Sequence, residues 1–303
     1  MIIADLHNDT AYELYFGKKS LKSGELHINL KKQNFSKNLL FYAIYMNPEK
    51  YGDNPKRYFE NIYNYFKNEI KKNEAEIEFF ENTESFLKGD KHNAVITLEG
   101  GELINELCDV SWLCNFGIKA VTLTWNFSNK IASCHADLSD KGLTAFGRDA
   151  IKKMEEKNII PDLSHASDKT FYDVIEIAKK SILVTHSNSR ELCRNSRNIT
   201  DDMFSALMEN KGLLGINFYS DFLGEKSILS HIEHFLRLGG EDNIAFGSDF
   251  DGMDKLPEGI YDFSSYMPLS KLLEKEFSKS IAEKIMYKNV IRFFSSASYK
   301  QVL

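Results

Sequence analysis

The chain has 303 residues, 38 Lys plus Arg against 44 Asp plus Glu, a formal charge of −6, 43% hydrophobic and 27% charged residues. This is ordinary globular composition and excludes a disordered or collagen-like chain. The acidic balance, without a long Lys/Arg block, argues against nucleic acid as a partner, and no apolar run approaches the roughly 20 residues that cross a bilayer. Short apolar runs predict eight strands: Ile2–Leu6, Leu39–Met46, Ala94–Leu98, Ala120–Thr124, Ile159–Leu163, Ile182–Thr185, Leu213–Asn217 and Ile244–Gly247. Most lack polar alternation, as parallel strands covered on both faces do.

Helix signals lie between the runs. The stretch 47–91 is longer than a simple crossover and reads as a helical insertion between strands two and three, its main helix near Lys56–Lys72. Thr144 opens a helix carrying Ala150, Ile151 and Met154. Asp168 is the expected N-cap of a helix with Phe171, Val174, Ile175 and Ala178 on one stripe. Thr200, followed by Asp201 and Asp202, is a capped, dipole-matched start. His231 and His234 lie three apart on a further helix expected outside the barrel and exposed. Eight strands alternating with helices predict an α/β fold, a (β/α)8 barrel, with a doubly wound open sheet as the alternative.

Met1–Asp5 lacks the basic and apolar regions of a signal peptide, and Tyr299–Leu303 lacks a tail that directs a lipid anchor. Cys108, Cys114, Cys134 and Cys193 form no C-x-x-C pair and are too sparse for a disulfide scaffold. The expectation is a reduced, cytoplasmic protein without a membrane partner.

In a barrel, chemistry sits at the C-terminal ends of the strands. Reactive residues follow the apolar runs here: Asp5, His7 and Asp9; Glu99; Asp162 and His165; His186; Asp249 and Asp251. His7 and Asp9 are two apart, so on an extended strand end they point to one side. His165 and His186 come from adjacent strands and form a second pair of nitrogen donors. Glu99 supplies a carboxylate between the pairs. Two imidazole sites joined by one carboxylate suit two zinc ions, with Mn²⁺ or Co²⁺ as alternatives. Asp5 is expected against the barrel wall or a backbone amide.

The motifs Asp5-Leu6-His7-Asn8-Asp9-Thr10, Leu98-Glu99-Gly100-Gly101, Asp162-Leu163-Ser164-His165, Thr185-His186-Ser187, Ser196-Arg197-Asn198 and Gly247-Ser248-Asp249-Phe250-Asp251-Gly252 occur in one order along the chain. Together they resemble the membrane dipeptidase (renal dipeptidase-like) family, in a version without leader or anchor. The resemblance implies a single metallo-dependent hydrolase barrel over residues 1–303 and a binuclear zinc site. His7 and Asp9 would bind one ion, His165 and His186 the other, with Glu99 bridging. It implies hydrolysis of dipeptides, often with a C-terminal D-residue, by a metal-bridging hydroxide. Arg197 would hold the substrate carboxylate. Asp249 would hold the amino end and carry the proton to the leaving nitrogen. Homodimers are common among such enzymes.

The chain departs from the family in places. A histidine expected after strand four is replaced by Trp125, in Thr122-Leu123-Thr124-Trp125, whose indole donates one hydrogen bond and does no acid work. His135, ten residues on, is a candidate substitute. Trp125, Tyr219 and Phe222 are expected to shape the side-chain pocket. Two other readings stand beside this one: a metal-dependent hydrolase of a cyclic amide, lactam or lactone, and a metal-stabilised binding barrel without catalysis.

Overall fold

A computed structural model describes residues 1–33 and 37–296. Its strands are β1 (Ile2–Asn8), β2 (Lys37–Tyr45), β3 (Ile77–Phe79), β4 (His92–Glu99), β5 (Ala120–Thr122), β6 (Ile160–Asp162), β7 (Leu183–Ser187), β8 (Leu213–Ile216) and β9 (Ile244–Phe246). All the pairings are parallel. The order runs β2-β1-β9-β8-β7-β6-β5-β4, and β2 pairs with β4 to close the ring. This closure overturns the open-sheet alternative and leaves the eight-stranded (β/α)8 barrel.

Period-two alternation sorts the strand side chains into two layers. Ala4, Leu6, Leu39, Phe41, Val95, Ala120, Ile160, Leu183, Leu213 and Ala245 form one buried cluster, with Val290 and Phe293 of the helix Asn289–Ser295. This is the barrel interior, filled by side chains. Their neighbours Ile3, Leu40, Ile44, Ile96, Val121, Val184, Leu214 and Ile244 join the larger cluster between barrel and helices. In strand parity Gly247 lies above Ala245. A Cβ there would stand 1.7 Å from the Thr185 carbonyl oxygen, so glycine lets β7 and β9 converge below the site.

The stretch 47–91 has its main helix where the sequence placed it but is not helical throughout. It holds the helices Pro55–Lys72 and Thr83–Lys88, with the short strand β3 between them. β3 pairs with the lower half of β4, at residues 92–94, while β5 takes the upper half at 97–99. A second correction concerns Asp168. The cap of the helix Asp168–Ile177 is Ser167, whose side chain accepts from Thr170 N, and Asp168 is the first helical residue. Both Thr144 and Thr200 cap as expected, accepting from Gly147 N and Met203 N. Tyr299–Leu303 lies outside the described residues. Among those described, no helix is long and apolar enough to cross a membrane.

Candidate metal centre and substrate cleft

The strand ends bring His7, Asp9, Glu99, His165, His186 and Asp249 together in the way their positions in sequence suggested. Three overlapping clusters place ligand atoms within 4.8 Å of one another: His7, Asp9 and Glu99; Glu99, His165 and His186; His7, His186 and Asp249. Glu99 ends β4 and is 4% exposed. Its two oxygens face opposite ways. Oε1 lies 3.0 Å from His165 Nε2 and 3.5 Å from His186 Nε2. Oε2 lies 3.7 Å from His7 Nε2, which is also 3.7 Å from Asp9 Oδ2 and 3.9 Å from Asp249 Oδ1.

Outer hydrogen bonds set the imidazole tautomers. Thr185 Oγ1 donates to Asp162 Oδ2 at 2.6 Å, so it accepts from His186 Nδ1 at 2.9 Å and leaves His186 Nε2 as a bare lone pair. His165 Nδ1 donates to Asn126 Oδ1 at 2.9 Å, which bares its Nε2 in the same way. The two bare nitrogens are 3.1 Å apart. Lone pairs so placed repel unless a cation lies between them. Two imidazole nitrogens on one tetrahedral zinc stand about 3.3 Å apart. His7 Nε2 and Asp9 Oδ1 are buried without a hydrogen-bond partner. The donor set therefore fits a pair of divalent ions.

The charges in this cluster oppose one another. Burial alone would lower the His7 imidazole, but Glu99, Asp9 and Asp249 outweigh it and push it up to about 10. Burial, followed by Asp9, raises Glu99, and burial also raises Asp249. His165 and His186 are held well below the usual imidazole range, first by burial and then by the nearby positive charge of Arg197 and His7.

The structure separates the two loop aspartates. Asp249 points into the cluster, steadied by Asn217 Nδ2 at 3.0 Å. Asp251 is committed elsewhere: its carboxylate accepts from Thr10 Oγ1 at 2.6 Å and from the backbone N–H groups of His27 and Ile28 at 2.7 and 3.3 Å. Both residues adopt left-handed backbone, φ 66° and 67°. Gly252 follows, where a Cβ would fall 2.0 Å from Asp9 Oδ2. Asp5 is an anchor, accepting from His7 N, Ser248 N, Ser248 Oγ and Tyr266 Oη.

A cleft of about 480 Å³ opens over these groups, and its walls include Trp125, His135, Arg197, Tyr219 and Phe222. Arg197 is 3% exposed. Its guanidinium reaches Ser187 Oγ at 3.4 Å and the His186 carbonyl at 3.2 Å, and it lies 5.1 Å over the Phe222 ring. Its Nε is buried without a partner. A buried guanidinium so sparsely satisfied has the chemistry to accept an anion. His135 stands beside His165, ring centroids 6.0 Å apart, with Nδ1 on Ser196 Oγ and Nε2 on Asn126 Oδ1. Tyr45, at the end of β2, packs on Trp125 with ring centroids 4.9 Å apart. Burial raises its phenol pKa, and Glu99 and Asp9 raise it further.

His231 corrects the expectation of an exposed histidine. It is fully buried. Its Nδ1 accepts from Ser189 N at 3.1 Å and its Nε2 donates to the Leu223 carbonyl at 3.2 Å. The ring thus ties the start of the Arg197 loop to the end of the segment bearing Tyr219 and Phe222. His234 is partly exposed and pairs with Asp201 at 2.7 Å. Asn126, Asn217 and Tyr45 were not singled out from sequence as parts of the site. The available signal was a polar side chain at or just beyond the end of an apolar run.

A closed (β/α)8 barrel with imidazoles and carboxylates converging above its strand ends has the layout of a metal-dependent hydrolase barrel. The chain belongs to the membrane dipeptidase family (peptidase family M19), whose model matches residues 1–302. It is 31% identical over 192 residues to an uncharacterized dipeptidase of Schizosaccharomyces pombe, a match covering 59% of this chain and 46% of that relative, so the alignment spans about half the relative's length. The fold is similar to a Rhodobacter sphaeroides metallo peptidase liganded with a phosphinate mimic of the dipeptide L-Ala-D-Ala (TM-score 0.87, 20% identity, 97% of this chain and 98% of that one). It is equally similar to a family M19 metallo peptidase called dipeptidase AC (TM-score 0.87, 21% identity, 99% of both chains).

Proposed function

We propose that this chain is a binuclear metallodipeptidase. The observation that carries the reading is Glu99, whose two oxygens address two separate imidazole groups, with an unsatisfied buried guanidinium and Asp249 lining the same cleft. His7 and Asp9 would hold one divalent ion, His165 and His186 the other, and Glu99 both. Zinc suits the donor set, with Mn²⁺ or Co²⁺ as alternatives. Bound ions would lower the pKa of a water and supply Lewis-acid charge.

The chain's own residues do the rest. Arg197 binds the substrate carboxylate through its planar fork. Asp249, held by Asn217, receives the ammonium group and passes a proton to the leaving amine nitrogen. Trp125 and Tyr219 line the side-chain pocket. A site that pairs both charged ends accepts a dipeptide and excludes longer chains. The phosphinate mimic bound by the R. sphaeroides neighbour supports tolerance of a C-terminal D-residue. Four free cysteines support a reducing compartment, the cytoplasm.

The test is metal analysis of purified protein beside hydrolysis of a panel of L,L- and L,D-dipeptides. About two ions per chain with chelator-sensitive cleavage is expected. Two ions without cleavage of any dipeptide would discard the substrate class. Failure to bind metal even with added zinc would discard the ligand grouping.

A further inference from the structure

Acyl transfer is accelerated by a hydrogen-bond donor placed where negative charge develops on the carbonyl oxygen. We propose that the Tyr45 hydroxyl is such a donor, holding the scissile carbonyl oxygen as it becomes an oxyanion. The inference rests on the dipeptidase reading.

Three observations place Tyr45 there. It ends β2 directly opposite Glu99 in the β2–β4 register, and in-register parallel neighbours project to the same face. Glu99 projects into the ligand cluster, so Tyr45 stands beside that cluster. Its ring is wedged between Tyr12 and Trp125, with centroids 5.4 and 4.9 Å away, which fixes its direction. It lines the cleft, and its hydroxyl makes no hydrogen bond to protein among the described residues. The neighbouring His135 is already engaged through both ring nitrogens, on Ser196 Oγ and Asn126 Oδ1.

In the reaction a water oxygen bonds to the carbonyl carbon as its proton passes to the Asp249 carboxylate, and the π pair moves onto the carbonyl oxygen. Tyr45 hydrogen-bonds that oxygen and keeps its own proton throughout. When the C–N bond breaks, the π bond re-forms and the amine takes its proton from Asp249.

The experiment compares wild-type and Tyr45→Phe holoenzyme, reading kcat, KM, metal per chain, and affinity for a phosphinate dipeptide mimic by calorimetry. Loss of the donor is expected to lower kcat about 10²-fold and to weaken phosphinate binding by a similar factor, with KM and metal content near wild type. A variant that keeps kcat and phosphinate affinity overturns the proposal. So does one that changes only KM or metal content, because Tyr45 would then be packing. If wild-type holoenzyme cleaves no dipeptide, the dipeptidase reading fails, and this inference fails with it.

Discussion

Asp249 and Asp251 show how much a side chain's distant partners decide. Two residues apart, they share one turn and one backbone conformation. One faces imidazoles; the other clamps the backbone at His27 and Ile28. Asn tolerates the left-handed region about as well as Asp, so Asp249→Asn leaves the turn intact. Turnover in that variant is expected to fall roughly 10²–10⁴-fold, the usual worth of a positioned proton donor, with metal content unchanged. Dipeptide kinetics beside metal analysis check it, and unaltered turnover would remove Asp249 from the mechanism. Sequence could not separate these aspartates on residue type, because the hydrogen bonds that occupy Asp251 come from Thr10, His27 and Ile28, more than two hundred positions away.

At the scale of elements, the helix Ile228–Arg237 matters to the cleft through His231. Burial lowers its pKa, with the His234 charge adding to the effect, so the folded protein keeps the ring neutral. The unfolded chain protonates it near pH 6.5. A group depressed in the folded state favours unfolding once the unfolded chain takes up the proton, so this stability is present above about pH 6.5 and is lost as pH falls below it. The drop in Tm between pH 7 and pH 5 is expected to be smaller in His231→Gln than in wild type. Equal drops would show that His231 does not set the acid sensitivity. The spacing of His231 and His234 was visible in sequence, but the partners Ser189 and Leu223 were not. The strand β3 escaped for a different reason: Ile77, Glu78 and Phe79 have a charged residue at the centre and make no unbroken apolar run. Longer runs fared better. Parallel strands buried on both faces read as unbroken apolar segments, and all eight of them correspond to barrel strands.

For the molecule as a whole, closure depends on β2 meeting β4, a pairing across the stretch 47–91 that no local pattern encodes. Once closed, the barrel gathers the side chains following its strands, which is why the cluster of His7, Asp9, Glu99, His165 and His186 was legible while its supports Asn126, Thr185 and Asn217 were not. Gathering buried carboxylates and bare imidazoles costs stability, and cations should restore it. After chelation, adding zinc is expected to raise Tm, by the equivalent of about 2.7 kcal/mol at a hundredfold excess over Kd. Glu99→Ala should blunt that rise. A zinc-insensitive Tm in wild type would contradict the ion pair.

The left-handed turn at Asp249 also bears on how such a chain drifts. Asn fits the turn as Asp does, so the proposed proton-transferring group is replaceable without disturbing the barrel. A sister protein that had lost it would fold and keep the cluster of imidazoles and carboxylates, without the group proposed to move the proton. Retention of shape is therefore a poor guide to retention of the proposed catalysis.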